Sequence, residues 1–146
     1  MPTIETSIWL ALRARVESLV LSPVHPIAWP NEAFEQPQTG SPPMAAPYLE
    51  VMLFRNTTDR ITIGSAGPHR HKGFLQVAVM SPLNQNAAVS TETAGLIAAH
   101  FTADLKLRRD GRTVRITKTP DIMRGLRDDR TQRWMTPVSI PCECFA

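Results

Sequence analysis

The prolines are the feature that most constrains this sequence. There are 13 of them among 146 residues, nearly twice the share of about 5% that is usual in proteins. Proline has no backbone N–H and a fixed φ angle, so it ends helices and is excluded from most positions in central strands. We therefore expect short, frequently interrupted elements that are joined by ordered irregular connections.

Length and composition predict one globular domain over residues 1–146. A chain of 16.2 kDa buries roughly two-thirds of its unfolded surface, which is enough for a core without disulfides or metals. The longest apolar stretch is only a few residues, far short of the roughly 20 that cross a bilayer. The first residues lack the basic and apolar segments of a secretory signal, so we expect the protein in the cytosol where it is made, without a membrane partner.

The first third of the chain predicts one helix and a long loop. Apolar residues recur at three- and four-residue spacing from the N-cap Thr3 through Leu21, and Ser22-Pro23 ends the helix. Prolines bracket Val24–Trp29, which favours a short edge strand. Asn31–Pro47 is proline-rich and irregular, and loops of this length are usually functional or disordered. We interpret it as an arm or a subunit-spanning loop.

The rest of the chain alternates strands with one helix. His71–Met80 has two largely apolar faces and is predicted to be a central strand, whereas Arg55–Asp59 has the composition of a turn and Pro120–Arg133 that of a polar connection. The other predicted elements are strands at Tyr48–Phe54, Arg60–Ile63 and Trp134–Cys144, a helix at Ala88–Phe101, and a hairpin of Lys106–Arg109 with Arg112–Lys118. This order predicts an α+β fold with a largely antiparallel or mixed β-sheet and two main helices packed on one face.

Positive charge is concentrated in the predicted hairpin. Lys106–Lys118 contains six basic residues and one acidic residue, whereas Met1–Leu105 contains six basic and eight acidic residues. One interpretation is a solvated outer face. The alternative is a surface that faces phosphate, because clustered Lys and Arg mark nucleic-acid contacts.

Residues with catalytic or metal-binding chemistry do not form a recognisable constellation. His69 and His71 share a strand face but lack a third ligand nearby, and Cys142 and Cys144 lack a second pair at zinc spacing. Asp128-Asp129 lies between arginines, as in a solvated charge cluster. Gly64–Gly67 lacks the spacing and the lysine of a phosphate-binding loop. We therefore expect no catalytic residue, no metal ligand and no cofactor, and predict that the chain is not an enzyme.

Several segments together resemble the tail terminator proteins of siphophages and prophages. The resemblance begins with Pro47-Tyr48-Leu49-Glu50-Val51 and the run from Gly64-Ser65-Ala66-Gly67-Pro68-His69 through Val77. It continues with the helix Ala94–Phe101, the strand Val114-Arg115-Ile116 and the closing Trp134–Pro141. These pieces occur in the family's order and cover nearly the whole chain.

The resemblance implies a structural phage tail protein without a cofactor. Such proteins form a ring, of six subunits, at the head-proximal end of the tail tube, stop tube growth and present a surface to the head connector. The implied partners are further copies of the chain, the major tail tube protein, the head–tail connector and DNA passing through the lumen. The implied location is the virion tail, after assembly from the host cytoplasm.

Two sets of residues are candidates for these contacts. Subunit or tube contacts are expected in Asn31–Pro47 and Asn56–Gly67, with the candidate residues Trp29, Phe34, Met44 and Arg60. The candidate residues for the lumen are Arg108, Arg109, Arg112, Arg115 and Lys118. The alternative function is a small basic nucleic-acid-binding or regulatory phage protein, which the hairpin alone supports.

Overall fold

The computed structural model describes residues 2–64 and 66–146. In that part of the chain two helices and ten strands follow one another in this order: α1 Ile4–Glu17, β1 Ile27–Ala28, β2 Gln38–Thr39, β3 Met44–Ala45, β4 Tyr48–Arg60, β5 His69–Pro82, α2 Ala87–His100, β6 Lys106–Arg109, β7 Arg112–Ile116, β8 Asp121–Ile122, β9 Leu126–Asp128 and β10 Arg133–Phe145.

Eight of the strands form one sheet with the order β1-β4-β5-β10-β7-β6, and β8 and β9 also pair with β10. All of these pairs are antiparallel except β1 with β4. Both helices bury their apolar sides in one core cluster against the same face of the sheet. The predicted α+β class is therefore confirmed, and β5 is central as expected.

The long strand β10 is central although it contains two prolines, Pro137 and Pro141. Their carbonyls accept hydrogen bonds from the backbone N–H groups of Met123 and Thr117, on the edge away from β5. In an antiparallel strand the N–H and C=O of one residue point to the same edge, so both missing donors also lie on the edge away from β5. The register between β10 and β5 is unbroken over all of β10.

The prolines divide the other edge of β10 into three short pairings. Strand β9 pairs with Arg133–Met135 of β10. Strand β8 pairs with Val138 and Ser139, and strand β7 pairs with Cys142–Cys144. The gaps between these pairings fall at the prolines. The polar connection predicted at Pro120–Arg133 is therefore wrong in part, because β8 and β9 lie within it.

Strand β4 extends six residues beyond the predicted end at Phe54. The turn expected at Arg55–Asp59 is wrong, because these residues continue to pair with β5 after a bulge between Arg55 and Thr58. Gly73 permits this bulge, since a Cβ at this position would lie 2.5 Å from the carbonyl oxygen of Phe54. The strand expected at Arg60–Ile63 is also wrong, since only Arg60 belongs to β4. Ser65 of the glycine-containing turn lies outside the described residues.

Helix α1 begins as predicted and ends four residues earlier. Thr3 is the N-cap, and its side chain accepts a hydrogen bond from the backbone N–H of Thr6. Ser18 ends the helix, because its hydroxyl donates to the carbonyl of Arg15 at 2.6 Å and competes with the helical backbone. The chain then turns back, so that Leu21 is buried in the core beside the helix.

The proline-rich segment 31–47 is ordered by a hairpin and by one buried arginine. Strands β2 and β3 pair within it, so the prediction of an irregular loop is wrong at these four residues. Arg133, only 2% exposed, donates hydrogen bonds to the carbonyls of Ala46 and Pro37 and to the side chain of Gln36. Its guanidinium carbon lies 5.2 Å from the centre of the Tyr48 ring. Arg133 thus fastens the segment to the sheet.

Replacing Arg133 with Met tests this anchor. The change leaves the buried carbonyl of Ala46 without a donor, while the carbonyl of Pro37 keeps the N–H of Ala46. We expect a loss of about 1–3 kcal/mol in the free energy of unfolding. The matched control is Arg130→Met, whose exposed pair with Glu50 contributes less than about 1 kcal/mol. Urea denaturation measures both values, and equal losses for the two variants would contradict the anchor.

Candidate assembly surfaces

The basic hairpin β6–β7 forms as predicted, but it does not present its cations on one surface. Cross-strand pairing places Lys106 beside Arg115 and Arg108 beside Thr113, on the face opposite the helices, which we call the open face. Arg109 and Arg112 lie on the helix side, where Arg112 donates to the carbonyl of Pro2 and the hydroxyl of Ser7 in α1.

Acidic partners neutralise two of the five lumen candidates. Arg115 contacts Asp104 at 2.6 Å and Glu143 at 2.5 Å, and Lys118 contacts Asp121 at 2.8 Å. Among the described residues Arg108 and Arg109 have no acidic partner, and neither does Lys106, which the sequence analysis did not select. The basic surface is therefore smaller than the sequence composition indicates.

Glu143 is the buried acid that organises this end of the open face. Its carboxylate also accepts a hydrogen bond from Arg70 at 2.8 Å. Burial raises the pKa of the Glu143 carboxyl, but the hydrogen bonds from Arg115 and Arg70 outweigh burial, so the pKa lies below its usual value. The same contact raises the pKa of Arg115. The three side chains tie together β5, β7 and β10.

The other four candidate residues lie in three places, namely a groove beside β4, the strand β3 and the end of β4. Trp29 contacts Trp9 edge to face at 6.0 Å and carries the Arg13 guanidinium 4.3 Å above its ring. Phe34 packs against Tyr48 at 4.9 Å between ring centres. Met44 on β3 is 69% exposed. Arg60, at the end of β4, donates to the carbonyls of Thr62 and Ile63 and shapes the tip of the β4–β5 hairpin.

Trp29 and Phe34 also line an open groove of about 620 Å³ beside the outer edge of β4. The acidic residues Glu32 and Glu50 are part of its lining. Glu32 pairs with Arg13 and Glu50 with Arg130. The groove lies between the chain that follows β1 and the part of β4 that has no described strand beside it. The proline-rich segment and this part of β4 therefore form a continuous surface.

Beyond the area that Phe34 covers, the open face exposes apolar side chains. Phe54 and Phe74 stack with their ring centres 4.9 Å apart and their planes 16° from parallel. Met52 and Phe54 are each about two-fifths exposed, and no helix of the described residues covers them. This part of the sheet is suited to contact with another protein surface.

Sequence reasoning missed the apolar tip of the β4–β5 hairpin. Ile63 is 98% exposed and Ile61 is 47% exposed, although both were expected to continue a strand. The signal was present in the sequence, since two isoleucines stand directly before a glycine-containing turn, where polar residues are usual. Val20 and Val24, next to β1, form a second exposed apolar site.

The structure assigns packing roles to the residues that were considered for chemistry. No group of three or more His, Cys, Asp or Glu side chains in residues 2–64 and 66–146 could hold a metal ion. Burial raises the pKa of the Cys142 thiol to about 12, so it is a protonated core side chain at neutral pH. Asp128 accepts from the backbone N–H of Arg130 and from the hydroxyl of Thr131. No helix in the described part of the chain is long and apolar enough to span a bilayer.

Comparisons with known proteins identify the family. A family model described as phage tail terminator protein matches residues 7–142. Five chains of solved structures match, and one of them has 22% sequence identity and a TM-score of 0.67 over 93% of this chain and 94% of its own. No curated protein matches the sequence. The α+β protein described above is therefore a structural protein of a phage tail and a virion component. The chain belongs to the phage tail terminator family.

Replacing Glu143 with Gln tests the charge network of the open face. At pH 7 we expect a loss of about 1–3 kcal/mol in the free energy of unfolding, because two guanidiniums lose their charged acceptor. The folded pKa of Glu143 is lowered, so the stability it contributes is present above its unfolded pKa and is lost as the pH falls through its folded pKa. Urea denaturation from pH 7 downward measures the difference between the two proteins. A difference that stays constant with pH would contradict this role.

Proposed function

We propose that this chain assembles as a ring of six subunits at the head-proximal end of the tail tube. There it stops tube growth and forms the interface to the head connector. Its partners are copies of itself, the major tail tube protein and the head–tail connector protein. Before assembly it resides in the host cytoplasm. The observation that carries the proposal is the family match over residues 7–142.

The distribution of exposed apolar side chains supports this proposal. Pairs of them lie on the open face with Met52 and Phe54, at the hairpin tip with Ile61 and Ile63, before β1 with Val20 and Val24, and on the outer side of α2 with Val89 and Leu96. Others lie elsewhere, at Met44, Ile122, Met123, Leu126 and Phe145. A subunit in such a ring has three kinds of neighbour, namely the adjacent subunits, the tube and the connector. Where two exposed apolar side chains lie together, as at these surfaces, contact with another protein would bury them.

Ring closure requires two different patches on each subunit. One patch binds a different patch on the next copy, and the rotation between copies must close instead of continuing as a filament. In this proposal the segment 31–47 is one of the two patches and acts as a contact arm. Arg133 and the β2–β3 pairing order this segment before assembly. Ordering in the free subunit lowers the entropy cost of binding.

Passage of DNA through the lumen gives the open face a second role in this proposal. Lys106 and Arg108 lie on that face without acidic partners among the described residues, and the charge of Arg115 is compensated by Asp104 and Glu143. We propose that Lys106 and Arg108 meet phosphate without reading bases. Arg109 and Arg112 lie on the helix side, and Lys118 pairs with Asp121. Because few cations then remain to contact DNA, the DNA passes through the lumen without being tightly bound.

Electron microscopy of tail tubes mixed with the purified protein tests the proposed function. We expect a ring at one end only of each tube, and tubes with unaltered ends would contradict the proposal. If the chain is instead a nucleic-acid-binding protein, the tubes remain unaltered and the free protein binds DNA with strong salt dependence.

Replacing Ile63 with Asp tests the contact at the hairpin tip. The side chain is almost fully exposed, so the melting temperature should stay unchanged, while a charge in an apolar contact should lower the number of capped tubes at least tenfold. The control is Gln85→Asp, which adds the same charge at another exposed position and should cap as the unmodified protein does. Equal capping by both variants would place Ile63 outside the contact.

A further inference from the structure

Both outer edges of the eight-stranded sheet carry backbone groups that lack a strand partner in the described part of the chain. On the outer edge of β4 lies only β1, whose register covers Leu49 and Glu50 alone. At the opposite end of the sheet, β6 pairs with β7 and with no other described strand. Free edges of this kind pair readily with another chain.

On β4 the free groups belong to every second residue. The N–H of Leu49 donates to the carbonyl of Pro26 at 2.9 Å, on the side of β1. The register of β4 with β5 is unbroken from there to Arg55, so the N–H and C=O groups of Val51, Leu53 and Arg55 point outward. The pairing of Ala28 with Glu50 uses the N–H of Val51. The free edge thus offers two donors, on Leu53 and Arg55, and three acceptors, on Val51, Leu53 and Arg55, before the bulge.

On β6 the same reasoning identifies two residues. Asp110 and Gly111 have φ angles of 52° and 75°, as in the two-residue turns that join hairpin strands. Arg109 and Arg112 flank this turn and face each other, so the backbone groups of Arg109 and Leu107 point toward β7. Those of Lys106 and Arg108 point outward.

We propose that neighbouring copies of this chain join through these two edges, with β6 of one copy added beside the free edge of β4 of the next. The sheet then continues from subunit to subunit around the ring. This inference rests on the proposed function and names the interface that closes the ring. The partner at each edge is a second copy of the same chain.

The direction of the strands fits such a ring. The strands between β4 and β6 in the sheet are β5, β10 and β7, and each neighbouring pair is antiparallel. Therefore β4 and β6 run in the same direction. A rotation about an axis along the strands keeps that direction, so the new pairing is parallel. Pairing of two β4 edges about a two-fold axis would be antiparallel and would stop at a dimer.

Three of the four facing side-chain pairs at the two edges are complementary, and the fourth places Arg55 beside Arg109. Leu53 and Leu107 are both half-buried at the margin of the helix-side core, and bringing them together completes that core. In this register Lys106 lies beside Met52 and Arg108 beside Phe54 on the open face. Their aliphatic stems cover exposed apolar surface, while their charged ends remain in solvent for contact with phosphate.

The charges of β6 also explain how a free subunit avoids indiscriminate pairing. Three of the four residues in β6 are cationic, namely Lys106, Arg108 and Arg109. Clustered charge on an edge strand prevents its pairing with like edges. The β4 edge differs from β6, because its facing residues Met52, Leu53 and Phe54 carry no charge.

Proline substitutions at outward-facing positions test the inference. Arg108→Pro and Arg55→Pro each remove one outward N–H and leave the hydrogen bonds inside the subunit intact. Both variants should remain folded by circular dichroism and urea denaturation, yet should cap at least about 20-fold fewer tail tubes than the unmodified protein. The matched controls Arg108→Ala and Arg55→Ala keep the N–H and should lose less than tenfold.

The remaining outcomes overturn the inference in distinguishable ways. If both proline variants cap tubes as their alanine controls do, the edge pairing is wrong while the proposed function stands. If Arg55→Pro fails and Arg108→Pro caps normally, β4 pairs with something other than β6. If the unmodified protein forms no caps at all, the proposed function fails and the ring interface fails with it.

Discussion

The hydrogen-bond ladder between β5 and β10 is the interaction on which the rest of this structure depends. It is the longest pairing in the sheet, and both helices pack on the face that it builds. Proline is normally excluded from such a strand, yet β10 contains Pro137 and Pro141. They are tolerated because their separation by four residues directs both missing donors to the edge away from β5.

The same constraint shapes the surfaces of the subunit. Since the far edge of β10 is interrupted twice, it pairs with three short strands instead of one long strand. The sheet consequently ends in the small strand β6, while β4 on the other side extends well beyond β1. A subunit with two unequal free edges is suited to a heterologous contact that repeats around a ring. Arg133, at the start of β10, adds the ordered proline-rich segment to one of these edges.

Local sequence patterns predicted most of the fold. The N-cap at Thr3, the two-faced apolar strand before Pro82 and the Asp110-Gly111 turn act over a few residues, and each is confirmed. The errors occurred where contacts with residues distant in sequence determine the local structure. Strand β4 continues through Asn56–Asp59 because β5 pairs with it. Strands β8 and β9 form because β10 offers them a free edge. The candidate surface was less predictable, since a count of charges cannot show that Arg112, Arg115 and Lys118 have partners within the subunit. No local pattern indicated that Arg133 is buried.

Hydrogen–deuterium exchange tests the central claim most directly, because it reports on the backbone groups that the ring is proposed to use. In the free subunit, peptides covering residues 51–55 and 106–109 should exchange rapidly at the outward-facing amides of β4 and β6. On capped tail tubes both peptides should become protected together, while the β5–β10 ladder is protected in both states. Unchanged exchange in both peptides, with protection appearing elsewhere on the subunit, would contradict the account.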